Sequence, residues 1–301
     1  TYGKICALLE GEGKTVSDGI EQHWWPINYD GKIPNSIEAS IVSIADKIDT
    51  LVGDFAIGLL PSASGDPYGL RRAAFGVIRI SIERELSFSL YELMIQAISN
   101  MPFEVDDKPK VLSQLVEFFK QRLETYLKEK NILADEINSV LSVRLDDICD
   151  ANNRAVAVHS IRKQPDFEPI SASFKRIGNI LKQVGKGEVE RASALPNGSG
   201  KSEITENLLR EPQEKELYQR FLDVQKSAEK ETGKNNYDEV LCEFVTLRKP
   251  VDNFFEKVLV MDKDEKVKNN RIALLSTIYE QFSKIADFSK IVTSGAKPDQ
   301  K

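Results

Sequence analysis

Apolar positions recur at spacings of three and four residues in one segment after another. That is the mark of helices that bury one face. Between Ser36 and Val52 the stripe is Ile37, Ile41, Ile44, Ile48 and Val52. Asp66-Pro67 reads as an N-cap followed by proline at the first helical position, with Leu70, Ala73, Ala74, Val77 and Ile78 on the face that follows. Leu112, Leu115, Val116, Phe119, Leu123 and Tyr126 predict a further long helix. Pro212 opens a segment with Leu217, Phe221, Val224 and Ala228 on one side, and Asp264 caps one carrying Leu274, Leu275, Ile278, Phe282 and Ile285. Alternating runs of β-branched residues between turn signals are scarce. The pattern predicts an all-α protein.

Two interruptions predict the organisation. Asn100–Pro109 holds two prolines and three acids and reads as a linker. Gly185–Pro212 carries four glycines, two prolines and few apolar residues. The expected layout is a helical domain over 1–104, a second over 105–292 with a mobile loop at 185–211, and a disordered tail at 293–301. No internal repeat of 20–50 residues is visible.

Composition and charge narrow the class. The chain has 301 residues, 41% hydrophobic and 29% charged, without an apolar run of membrane-spanning length. No membrane association is expected. The first residues lack the features of a signal peptide. Three cysteines, Cys6, Cys149 and Cys242, are odd in number and far apart, so neither a disulfide framework nor a zinc cluster is expected, and a cytoplasmic location is. The net charge is −6. Residues 1–100 carry 8 Lys/Arg against 13 Asp/Glu, whereas the remainder carries 33 against 34. A footprint for a polyanion must therefore come from local clustering in the second part.

Several motifs invite a chemical reading. Asn197-Gly198-Ser199-Gly200-Lys201-Ser202 resembles the end of a phosphate-binding P-loop, but Leu195 stands where the first glycine belongs and no strand candidate precedes it. A flexible loop is the plainer reading. His23, an Asp30-Gly31 turn and Asp46 and Asp49 on one helix face resemble the second half of the HD superfamily, whose groups hold a water-activating divalent metal. The hallmark His-Asp doublet is absent, since the chain has only His23 and His159. Local polar contacts are the plainer reading. Arg71, Arg72 and Arg79 suit either phosphates or the acids of their own domain. The stretch Arg162–Arg191 holds seven basic residues and four acids, with Lys175, Arg176, Asn179 and Lys182 largely off the apolar face of Phe174, Ile177, Leu181 and Val184. Such charges form a solvated helix side or a nucleic-acid surface.

Three segments together resemble the C-terminal half of the beta subunit of bacterial-type heterotetrameric glycyl-tRNA synthetase. The first runs from Ala45-Asp46-Lys47-Ile48-Asp49-Thr50-Leu51-Val52-Gly53 to Asp66-Pro67-Tyr68-Gly69-Leu70-Arg71-Arg72-Ala73-Ala74. It is similar to the family's ADKLDTLVG…PTGSxDPFALRRAA. The second is Lys175-Arg176-Ile177-Gly178-Asn179-Ile180-Leu181, similar to KRxxNIL. The third runs from Pro250-Val251-Asp252-Asn253-Phe254-Phe255 to Asn270-Arg271-Ile272-Ala273-Leu274-Leu275, similar to PVDxFFDxVMVM…NRLALL. The sequence departs from the family at Ser62-Ala63-Ser64-Gly65 and at Gly69, where alanine is usual.

The resemblance implies a degenerate HD-like helical domain followed by a DALR-type anticodon-binding helical bundle. It implies a chain that is part of glycine–tRNA ligase without carrying its active site. The chain would grip tRNA(Gly), including the anticodon arm, while the alpha subunit attaches glycine with ATP and Mg; no cofactor is expected in this chain. The expected partners are tRNA(Gly) and the alpha subunit. The expected tRNA contacts are Arg176, Asn179 and Arg271, which fall in matching segments, and Arg144 and Lys182, which are basic neighbours. An alternative is a metal-dependent HD-type phosphohydrolase completed by residues upstream of Thr1.

Overall fold

The computed structural model describes residues 1–61, 65–192, 204–233 and 235–292, with side chains of 185–192 left aside. Every regular element among them is helical. The chain divides into two compact units, one formed by residues 1–131 with 144–152, the other by 132–143 with 153 onward.

The first unit contains α1 (Tyr2–Leu9), α2 (Lys14–Gln22), α3 (Ile37–Ala56), α4 (Leu70–Glu83), α5 (Leu90–Ser99) and α6 (Lys108–Glu129). Ser36 caps α3 through Ala39 N, Ser89 caps α5 through Glu92 N, and Asp107 caps α6 through Lys110 N. Helix α3 packs on α2, α4, α5 and α6, so it is the central helix of this unit. Ile48, Leu51, Val52, Ala74, Val77, Ile78, Leu115, Phe119 and Leu123 fill the core.

Three expectations are corrected here. Ile37 and Ile41, placed on the buried stripe of α3, are exposed; Ala39, Ser40, Ser43 and Lys47 take the buried side beside Ile44 and Ile48. Helix α4 begins at Leu70 rather than Pro67. Gly69 turns left-handed there at φ +73, and the Asp66 carboxylate caps the helix through Arg71 N at 3.2 Å. The unit boundary follows Asn131 instead of residue 104. The acidic stretch ends in the cap of α6, and the apolar stripe of that helix completes the core of α3–α5.

In chain order there follow α7 (Ala134–Leu141), α8 (Ile148–Ile161), α9 (Phe167–Ala192), a 3-10 turn at Glu206–Leu208, α10 (Pro212–Thr232), α11 (Tyr237–Val245), α12 (Arg248–Lys257), α13 (Glu265–Ser283) and a last 3-10 turn at Phe288–Lys290. Residues 144–152 count with the first unit because the Asp146 carbonyl and carboxylate accept from Leu90 N and Tyr91 N at 2.8 and 2.9 Å. Pro212 does stand at the first position of α10, and Asp264 does cap α13.

The second core centres on aromatic rings. Phe282 lies 3.6 Å from Phe174 and 3.9 Å from Phe244, centroid to centroid. Two buried charges are fully engaged. Arg154 Nη1 donates to the carbonyls of Val140 and Ile285 at 3.2 and 2.9 Å. Glu136, with no solvent exposure, accepts from Leu133 N and Arg162 Nη1 and faces His159 Nδ1 at 2.8 Å. Of the loop expected at 185–211, residues 185–192 continue α9 and residues 193–203, with the P-loop-like motif, lie outside the described residues. Thr205 is anchored by reciprocal bonds to Asn270 at 2.7 and 3.1 Å. The tail 293–301 also lies outside the described residues.

Candidate nucleic-acid interface

Helix α9 separates its two faces cleanly. Phe167, Ile170, Phe174 and Ile177 are buried, whereas Arg176, Asn179 and Lys182 are exposed. Spacings of three residues bring Arg176, Asn179 and Lys182 along one side of the helix. Gly178 sits where a Cβ would come within 3.1 Å of the Tyr279 ring, so it lets α9 lie close to α13. Lys175 is not part of the exposed set: its ammonium donates to the Ile291 carbonyl at 2.6 Å.

Arg176 has a partner that periodicity did not reveal. Its guanidinium carbon stands 4.2 Å from the centroid of the Phe255 ring. The Phe254-Phe255 doublet was the available signal: Phe254 is fully buried and Phe255 only partly. A guanidinium seated over a ring is steadied by it and still has N–H donors for a phosphate or an unstacked base.

The five expected contacts are divided between the two units. Arg144 belongs to the first unit and is bidentate to Asp150 at 2.9 and 3.2 Å. Arg271 is corrected outright, because it is 3% exposed. Its Nε donates to Glu214, and Nη1 donates to Asp262 at 2.7 Å and the Leu259 carbonyl at 2.8 Å. Burial works against the charged guanidinium, yet Glu214 and Asp262 outweigh it and raise its pKa above the ordinary arginine value. Arg271 ties α13 to α10 and to the 258–264 loop; it offers no surface to a ligand.

The HD-like residues are not assembled for metal binding either. Asp46 and Asp49 are exposed, and His23 Nδ1 lies 2.8 Å from the Ile20 carbonyl of its own helix end. Among the described residues no group of three or more His, Cys, Asp or Glu is arranged to hold a metal ion. The buried charge of the motif is the lysine between the acids. Lys47 Nζ donates to the carbonyls of His23 and Trp25 at 3.0 Å each and to Ser43 Oγ at 2.8 Å. Burial pushes its pKa down to about 8, against the opposing charge of Asp46. Gly76 on α4 makes room for it, since a Cβ there would lie 2.9 Å from Lys47 Cε. Ser43, four residues before Lys47 on the same face, was the sequence signal for this burial.

No helix among the described residues is long and apolar enough to cross a membrane.

Residues 170–292, which contain the basic face of α9, match the family model of the DALR anticodon binding domain. The all-helical second unit is consistent with a bundle of that type. Residues 1–142 match the model described as glycyl-tRNA synthetase beta subunit. Over nearly its whole length the chain is homologous to the glycine–tRNA ligase beta subunits. The Syntrophus aciditrophicus beta subunit is 35% identical over 97% of this chain, that of Desulforapulum autotrophicum 36% over 96%, and that of Acidobacterium capsulatum 36% over 97%. In each case the match covers 40% of the relative, so the chain spans about two-fifths of the length of these subunits.

Proposed function

We propose that this chain is the tRNA-gripping portion of a glycine–tRNA ligase beta subunit. It binds tRNA(Gly), including the anticodon arm, so that the alpha subunit can attach glycine at its own ATP and Mg site. One observation carries the reading: the DALR-matching unit exposes Arg176, Asn179 and Lys182 along one side of α9, with Arg176 stacked on Phe255. In that role Arg176 and Lys182 neutralise phosphates, and Asn179 or the planar guanidinium reads an unstacked base. Arg144 is kept as a weaker contact, because its half-exposed guanidinium already pairs with Asp150. The protein works in the cytoplasm with the alpha subunit.

The first unit is read as a degenerate HD-like domain. The exposed acids at 46 and 49, the single nearby histidine and the buried Lys47 support a scaffold without hydrolase chemistry. This chain alone is expected to catalyse neither glycyl-adenylate formation nor tRNA charging. Glycine-dependent ATP–pyrophosphate exchange by the isolated chain would contradict that.

The binding test is a tRNA(Gly) titration at two or more salt concentrations, with thermal melts alongside. Arg176→Ala and Lys182→Ala should each flatten the slope of log K against log salt by about 0.7–0.9 if each loses a phosphate contact. Unchanged affinity and slope in both folded variants would refute the placement on α9. Failure of the unmodified chain to bind tRNA(Gly) would refute the function.

A further inference from the structure

The first unit carries an open recess of about 580 Å³ whose polar lining is Arg71, Ser113, Gln114, Glu117, Gln121 and Arg122. Arg71 comes from the first turn of α4, and the other five from three successive turns of α6. Two cations therefore approach one concavity from different helices.

The state of Arg122 is the unusual feature. Its guanidinium carbon lies 5.0 Å from the Phe118 ring centroid. One nitrogen, Nη2, donates to Gln121 Oε1 at 3.2 Å. Nε is buried and has no hydrogen-bond partner. Buried donors are seldom left unpaired, because the lost hydration is not recovered. Burial and then the nearby charge of Arg71 push the Arg122 pKa down, with Asp66 acting in the opposite sense. The neighbouring carboxylates have other duties. Asp66 uses both oxygens on Arg71 N at 3.2 Å, and Glu117 accepts from Gln121 Nε2 at 3.2 Å.

We propose that this recess binds a phosphate group between Arg122 and Arg71. A tetrahedral oxyanion gives Arg122 Nε its missing acceptor and offsets the repulsion between two cations in a partly desolvated place. Ser113 and Gln114 add neutral donors around the same space. Guanidinium suits this ligand because its planar fork matches phosphate oxygens. The phosphate belongs either to an RNA backbone or to a free phosphate compound. The RNA source rests on the tRNA-binding function proposed above and would give the first unit a grip of its own.

The test titrates the 301-residue chain with inorganic phosphate against chloride at matched ionic strength, following the thermal melt and the phosphorus NMR linewidth. Phosphate should raise the melting temperature and broaden the phosphorus signal, and Arg122→Gln should lose both effects. Arg122→Lys keeps the charge without Nε and should recover them only in part. Should Arg122→Gln lose its cooperative melt, Arg71→Gln serves the same comparison. Equal phosphate responses in the unmodified chain and the folded glutamine variant, or no response in either, would overturn the site. A tRNA(Gly) titration then separates the sources. A salt slope flattened by about 0.7–0.9 in the variant identifies a nucleic-acid phosphate. An unchanged slope beside lost phosphate binding identifies a free phosphate compound. Phosphate binding without any tRNA binding would defeat the tRNA function and leave the site; tRNA binding without a phosphate effect would do the reverse.

Discussion

Replacing Arg271 by alanine should damage stability and leave tRNA recognition alone. The side chain of Arg271 is 4% exposed and that of Glu214 is fully buried. Glu214 also accepts from Glu211 N at 2.7 Å, which caps α10. Truncating Arg271 leaves a buried carboxylate without its cation and strips donors from Asp262 and the Leu259 carbonyl. Removing one partner of a buried pair costs about 3–5 kcal/mol. At roughly 2–4 °C per kcal/mol for a body of this size, the second unit should melt about 6–20 °C lower. The double variant Arg271→Met/Glu214→Gln should regain much of the loss, because no charge is then stranded. Calorimetry of the three variants measures the stability term, and tRNA(Gly) titration below the melt measures affinity per folded molecule. A loss below about 1 kcal/mol, or weakened affinity in a fully stable variant, would refute the reasoning.

Lys47 predicts an unusual pH dependence. Its folded pKa of about 8 lies below the unfolded value, so between the two the unfolded chain binds more protons and stability rises with pH. Against Lys47→Met as reference, the gain from pH 7 to pH 10 should be on the order of 2–3 kcal/mol in chemical denaturation; a flat difference would refute it. Gly76→Ala should destabilise despite a helix-propensity gain of about 1 kcal/mol, because the new Cβ meets the pinned Lys47 stem at 2.9 Å. In a Lys47→Ala background the same change should be less harmful or stabilising, and additive effects in that cycle would count against the packing argument.

Helical class and most caps were legible in the chain because each rests on neighbours in sequence. Pro212 at the start of α10 and Asp264 at the cap of α13 need only the local backbone to do their work. The family resemblance was equally readable, since its motifs are runs of adjacent residues. What tertiary structure decided was which charges face water. Arg176 and Arg271 are both basic residues in matching segments, yet one lies exposed on Phe255 and the other is buried against Glu214. Asp46-Lys47-Asp49 reads as a polar helix surface, but Lys47 turns inward because the carbonyls of His23 and Trp25 converge where Gly76 leaves space. Arg122 met Arg71 only when α6 joined α4 in the first unit, across the boundary that local composition had suggested. Helix formation is a matter of nearest neighbours and periodicity. The environment of a charge depends on residues tens of positions away, which only packing brings within reach.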